Sequence, residues 1–158
     1  MVEDLLSRIQ ANNIAVSGIT SDSRKVKKNF LFFAIEGSNI DGNEFIKEVL
    51  RKKPSAIITS KKNTYKTSIP IILVNDVRKE FALASYQVYK HDIKNKIAIT
   101  GTNGKTSVVY FIQYILSQLK NKCGVIGTLG NDIKKIKSNL TTPDPLQLAQ
   151  ILKKFTKE

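Results

Sequence analysis

The chain has 158 residues, with 26 Lys and Arg against 13 Asp and Glu and a formal net charge of +13; that length holds one full core, or one small domain plus part of another. It has no run near the ~18 apolar residues of a membrane helix, and it opens on the acidic Met1-Val2-Glu3-Asp4 where a secretory leader is basic; with one cysteine and one histidine it can form neither an internal disulfide nor a zinc site. The lysines are scattered and are not interleaved with Arg and aromatic residues, so they read as solvated faces; neither nucleic acid nor membrane is an expected partner, and a cytoplasmic protein is expected.

Residues 2–10 fit a short amphipathic helix with Leu5, Leu6 and Ile9 on one face, ended by Asn12-Asn13. Residues 14–16 and 18–20 suggest short extended pieces, after which Ser21-Asp22-Ser23-Arg24 reads, taken alone, as a polar turn. The apolar run 30–35 predicts a buried strand, closed by a loop over 37–42. A helix follows over 43–53, with Phe45, Ile46, Val49 and Leu50 on its apolar side and Pro54 marking its end. Residues 56–59 and 71–74 read as two more short buried strands. Asp76 is placed to cap the next helix, which carries Val77, Phe81, Leu83, Ala84, Tyr86 and Val88, with Tyr86 and Tyr89 as packing residues. His91 is expected at the surface, and 91–95 reads as a boundary. Alternating strands and helices make residues 1–92 a small α/β domain.

A second α/β unit begins with the β-branched run 96–100 (KIAIT), which has the character of a buried parallel strand, and an amphipathic helix is predicted over 108–119. Between them stands Gly101-Thr102-Asn103-Gly104-Lys105-Thr106-Ser107. The two glycines permit backbone dihedrals that bring N–H groups close to a polyphosphate, and the helix start directs unpaired N–H groups and a positive dipole end at the same anion. Lys105 would meet the outer phosphates and the Thr106 hydroxyl would ligate Mg²⁺. The spacing is shorter than G-x-x-x-x-G-K-[ST], whose first glycine would fall at Ile99. Residues 122–126 read as the next strand, with Cys123 a buried thiol, and 127–137 as a hairpin or irregular loop. Asp144 is a predicted N-cap and Pro145 the first residue of a helix through Leu146, Leu148, Ile151 and Leu152. Two strands are too few for a doubly wound sheet, so 93–158 is expected to be the opening of a larger domain.

Asp22-Ser23-Arg24, then F-L-F-F-A-I-E-G with Asp41-Gly42, then G-T-N-G-K-T-S, then L-T-T-P-D-P, in this order, resemble the Mur ligase family along essentially the whole chain. Within it, G-T-N-G-K-T followed by T-T-P most resembles the branch that adds the third peptide residue to UDP-N-acetylmuramoyl-L-alanyl-D-glutamate; the sister MurF branch shares the same elements. The resemblance implies a three-domain ligase, of which this chain holds the UDP-binding domain and the start of a central ATP-binding domain; by itself the chain is expected to be incomplete as a catalyst, and it is expected to be monomeric. ATP would phosphorylate the glutamate carboxylate to an acyl phosphate, and the amine of an incoming diamino acid, lysine or diaminopimelate, would displace the phosphate. It implies substrate contacts at Ser23 and at Ser38, Asn39 and Ile40 for the uridine diphosphate end, and at Thr141 and Thr142 for the muramoyl dipeptide. It also implies ATP contacts along 101–107, with Lys105 catalytic and Thr106 on Mg²⁺. A truncated chain that only binds nucleotide or UDP-sugar is the alternative from another class.

Overall fold

The computed structural model of the chain describes residues 5–6, 9, 14–62, 64–127, 130–131 and 143–156. They form two compact units, Met1–Val88 and Tyr89–Glu158.

The first unit is built on a four-stranded parallel sheet, β1 (Gly18–Thr20), β2 (Phe30–Phe33), β3 (Ala56–Thr59) and β4 (Ile71–Leu73), in the spatial order of the sequence. In register, Thr20, Phe32, Ile57 and Ile71 form one row across the sheet, and Phe33, Ile58 and Ile72 lie in a row on the opposite face. Because side chains alternate between faces, the uninterrupted apolar runs of β2 and β3 mark strands covered on both sides. Leu31, Phe32, Phe33, Ile57 and Ile58 are all fully buried. On one face, Phe32, Ala34 and Ile57 pack with Ile46 and Val49 of α1 (Ile46–Arg51) and with Val26. On the other, Phe33 meets Phe81 of α2 (Val77–Val88). Burying each such aromatic contributes about 2–3 kcal/mol.

Asp76 caps α2 as expected, its side chain accepting from Lys79 N at 2.9 Å. The inward face of α2 is Val77, Phe81, Ala84 and Ser85, which follow the i, i+4, i+7, i+8 stripe. Leu83 and Tyr86 lie off that stripe and are exposed, and Val88, on the stripe, is exposed at the helix end. The strand over 71–74 is shorter and wetter than expected: β4 is the sheet edge, flanked by β3 alone, and Leu73 is 51% exposed. Of the helix expected over 2–10, Leu5, Leu6 and Ile9 are helical and buried; its other residues, apart from these three, lie outside those described.

In the second unit, α3 (Lys105–Gln118) follows the glycine turn, a short hairpin pairs β5 (Ile126–Gly127) with β6 (Gly130–Asn131), and α4 (Pro145–Phe155) closes the described chain. Asp144 caps α4, accepting from Gln147 N at 2.8 Å, with Pro145 at the first helical position, as the sequence predicts. Two expectations fail. Residues 96–100 pair with no strand among the described residues, and Ile97 is 67% exposed. A parallel strand exists only through hydrogen bonds to a neighbour, and apolar β-branched character alone cannot supply one. Likewise 122–125 lies outside any strand, so Cys123 is half-buried rather than buried. The apolar stripe of α3 is also uncovered: Val108, Phe111, Ile115 and Leu119 are each more than two-fifths exposed, and α3 has no buried residue. His91 is half-buried, its Nδ1 accepting from Ile93 N at 3.3 Å. No helix among the described residues is long and apolar enough to cross a membrane.

Candidate functional site

All four strands of the first unit run the same way, so the segments leaving β1, β2 and β3 emerge at one edge of the sheet, where open α/β sheets receive ligands. After β1, Ser23 opens a 3-10 turn, Ser23–Lys25, and is buried at 9% exposure. Asp22 shapes this turn. Its carboxylate accepts from Arg24 N at 3.0 Å and from Arg24 Nε and Nη2, each at 2.9 Å. The Arg24 guanidinium holds the Asp22 carboxyl below the usual carboxylate range. The Ser23 carbonyl accepts from Lys52 Nζ at 2.8 Å, an ammonium that also pairs with Glu48 at 3.0 Å, so the end of α1 reaches back to the turn.

After β2, the chain makes a tight loop whose neck is an antiparallel bridge, Glu36↔Asp41, and whose interior bond runs from Gly37 N to Ile40 O at 2.9 Å. Ser38, Asn39 and Ile40 form its tip and are exposed, Ile40 at 63%. Gly42 N then bonds Ile35 O at 2.9 Å, and a Cβ on Gly42 would stand 2.8 Å from both the N and the O of Ile35. The Asp41-Gly42 pair is therefore a close backbone crossing that a side chain cannot enter. Asp41 caps the following 3-10 turn, Gly42–Phe45, through Asn43 N at 2.9 Å. Asn43, Thr59 and Lys61 complete a polar network behind the loop. Lys61, Asn43, Lys52 and Arg78, which donates to Glu36 O at 3.0 Å, were not legible as site residues; their pairings cross 16 to 42 residues of sequence and leave no local pattern.

In the second unit, Gly101 and Gly104 have φ of 143° and 78°, the region where a Cβ is strained. Gly104 occupies the N-cap position of α3 with no side-chain cap, so the amides of Lys105, Thr106 and Ser107 end the helix without a carbonyl partner of its own. Gly101, Thr102, Asn103 and Gly104 are exposed, with Lys105 and Thr106 half-buried. The Lys105 ammonium turns back onto the loop, donating to Gly101 O and, at 3.2 Å, to Thr102 O. These carbonyls hold the cation beside the amides that would meet an anion. The geometry fits a polyphosphate: free first-turn amides, a positive helix end and one lysine, with no acidic side chain in 101–107. Among the described residues no three His, Cys, Asp or Glu side chains gather as a metal site. Thr141 and Thr142, with Leu140 and Asn139 before them, lie outside the described residues.

A parallel α/β sheet whose loops leave one edge, and a glycine turn on an uncapped helix start, are features common among nucleotide-binding α/β proteins. Family comparison gives the class a name. Residues 15–99 match the Mur ligase family catalytic domain and residues 99–158 the Mur ligase middle domain, so the chain belongs to the Mur ligase family. Among curated proteins it is 35% identical over 150 residues to the UDP-N-acetylmuramoyl-L-alanyl-D-glutamate–2,6-diaminopimelate ligase of Caldanaerobacter subterraneus subsp. tengcongensis, covering 92% of this chain and 31% of the relative. It is 40% identical over 146 residues to the protein of the same name in Rickettsia prowazekii, covering 88% and 30%. A solved structure of a ligase of that name superposes with a TM-score of 0.70 at 28% identity, over 90% of this chain and 30% of that one. MurF ligase from Thermotoga maritima, solved in complex with ADP, shares the fold with a TM-score of 0.53 at 23% identity, over 87% and 30%. The chain thus spans about a third of the length of the relatives it matches.

Proposed function

We propose that the chain is the front part of an ATP-dependent ligase that joins 2,6-diaminopimelate to UDP-N-acetylmuramoyl-L-alanyl-D-glutamate, with residues 1–92 holding the UDP-sugar and 93–158 opening the ATP-binding domain. The observation that carries this reading is the glycine cradle on the uncapped start of α3, in a chain 35–40% identical to ligases of that name over about nine-tenths of its length. The diamino acid follows the names of those relatives. The MurF reading is weaker, resting on a fold likeness with the lower TM-score. The protein acts in the cytoplasm as a monomer.

In this reading ATP, when bound with Mg²⁺, supplies the phosphoryl group that activates the glutamate carboxylate as an acyl phosphate. The chain's own work is electrostatic and positional. Lys105 exchanges the carbonyls of Gly101 and Thr102 for phosphate oxygens and offsets their charge, while the amides over 101–107 cradle them and the Thr106 hydroxyl holds Mg²⁺. Such donors act strongly because they are fixed before the ligand arrives. Ser23, Ser38, Asn39 and Ile40 hold the uridine diphosphate end, with backbone groups of the loop making most of the contacts. Thr141 and Thr142 hold the muramoyl dipeptide.

Isothermal titration of the chain with UDP-N-acetylmuramoyl-L-alanyl-D-glutamate, and separately with MgATP, tests the reading. One-to-one binding of the UDP-sugar and of the nucleotide is expected; heat from neither overturns it.

A further inference from the structure

Lys61 leaves the end of β3 and reaches the neck of the loop after β2. Its ammonium lies 2.6 Å from Asp41 Oδ2 and 3.2 Å from Glu36 Oε1. These two carboxylates belong to the residues whose bridge closes the loop, so one cation spans both ends of the segment that displays Ser38, Asn39 and Ile40. Behind the ammonium the bonds form a closed ring. Lys61 N donates to Thr59 Oγ1 at 3.0 Å, Thr59 Oγ1 donates to Asn43 Oδ1, and Asn43 Nδ2 donates to Asp41 Oδ1 at 2.7 Å. Thr59 is fully buried, which ties the ring to the sheet.

An isolated surface ion pair contributes little, about 0–1 kcal/mol, because holding two long side chains together costs entropy and water screens the charges. This arrangement differs in two ways. The lysine backbone is already fixed by a bond to a core residue, and a single cation is shared by two carboxylates that, without it, repel one another across the neck. What such a clasp controls is the shape of the loop before a ligand arrives, and preorganisation of that kind appears in affinity by removing an ordering cost from binding.

We propose that Lys61 is a positioning residue for the nucleotide-diphosphate end of the substrate, acting through Glu36 and Asp41 to pin the loop that carries Ser38, Asn39 and Ile40. The inference rests on the reading above that this loop receives the UDP end. Lys61 itself touches no ligand in this assignment.

The experiment compares the wild-type chain with Lys61→Met, which keeps the stem and removes the charge, and Lys61→Arg, which keeps a cation able to span both carboxylates. Amide hydrogen exchange in the free protein reads Gly37 and Gly42, whose N–H groups close the loop on Ile40 O and Ile35 O. Titration with UDP-N-acetylmuramoyl-L-alanyl-D-glutamate reads affinity. Lys61→Met is expected to speed exchange at both glycines about tenfold and weaken binding about tenfold, with Lys61→Arg restoring both to within about threefold. Unchanged exchange with weakened binding would mean a direct contact between lysine and ligand and overturns the proposal. So does faster exchange with binding unchanged, or a failure of Arg to restore either. A wild-type chain that binds no UDP-sugar overturns the reading on which the inference rests, while the exchange arm, which needs no ligand, still decides whether Lys61 holds the loop.

Discussion

Phe33 and Phe81 meet with ring centroids 5.1 Å apart and planes inclined at 50°, an off-parallel contact that joins the central strand β2 to α2. Both rings are essentially without solvent exposure. The sheet face carrying Leu31, Phe33 and Ile58 is closed at this point, and the edge loops are held on the sheet it stabilises.

Phe81→Ala is expected to destabilise the first unit by about 3–5 kcal/mol, since it removes a buried ring and leaves a cavity against Phe33. Phe81→Leu retains most of the volume and is expected to cost under about 1.5 kcal/mol. Urea unfolding followed by circular dichroism measures both; equal losses in the two variants would mean the ring contact is not what holds α2.

Two backbone substitutions have opposite expected signs. Gly42→Ala drives a methyl group against the backbone of Ile35 and is expected to cost about 1–3 kcal/mol, because neither neighbouring chain can yield without breaking the loop neck. Lys53 stands just beyond the end of α1 with φ of 53°, a left-handed position that favours glycine. Lys53→Gly is expected to raise the thermal midpoint by a few degrees, corresponding to about 0.5–1 kcal/mol.

The Lys61 ammonium, with further bonds from Asn43, holds the Asp41 carboxyl at about 2 in place of its ordinary 3.8. A carboxylate whose folded value lies below its unfolded one contributes stability above the unfolded value and loses it as pH falls toward the folded one. Asp41→Asn is therefore expected to be less stable than wild type at pH 5, with the gap closing between about pH 4 and pH 2. Denaturant midpoints at pH 5, 3 and 2 for the two proteins check this; a gap independent of pH would assign the loss to packing.

On the proposed function, Lys105→Ala is expected to abolish ATP-dependent turnover in the protein as its native cell makes it, because the cradle would then meet the phosphates with amides alone. Steady-state assay of ADP release with UDP-N-acetylmuramoyl-L-alanyl-D-glutamate and 2,6-diaminopimelate measures it, and near-normal turnover removes the lysine from the chemistry.

The parts of the fold that local chemistry decides were legible in the sequence. The runs FLFF and AIIT became buried central strands, and Asp76 and Asp144 became helix caps because a carboxylate beside free first-turn amides has one good use. The glycine turn before α3 lies where Gly101 and Gly104 placed it, since no other residue accepts those dihedrals as easily. What failed depends on partners distant in sequence. The run KIAIT reads as a strand because strand character is a preference for being flanked, and nothing in five residues says whether the flanking strands are present. The apolar spacing of α3 likewise marks a face suited to burial without saying what covers it. Lys61 was one lysine among many until the sheet brought it beside Glu36 and Asp41, 25 and 20 residues away.

Since β1 to β4 all point the same way, the chain must recross the sheet after each strand, and the unit has a working rim and a returning rim. Ser23, Ser38, Asn39, Ile40 and Lys61 leave on the first; Asn29 and Lys53, joined by a bond from Asn29 N to Lys53 O at 3.1 Å, turn the chain on the second. Changes on the returning rim therefore reach the loops through the strands between them and through Lys52, whose ammonium crosses to the Ser23 carbonyl. An affinity tag or fluorophore is best carried there, where it reports on folding from the rim opposite the loops proposed to bind ligand.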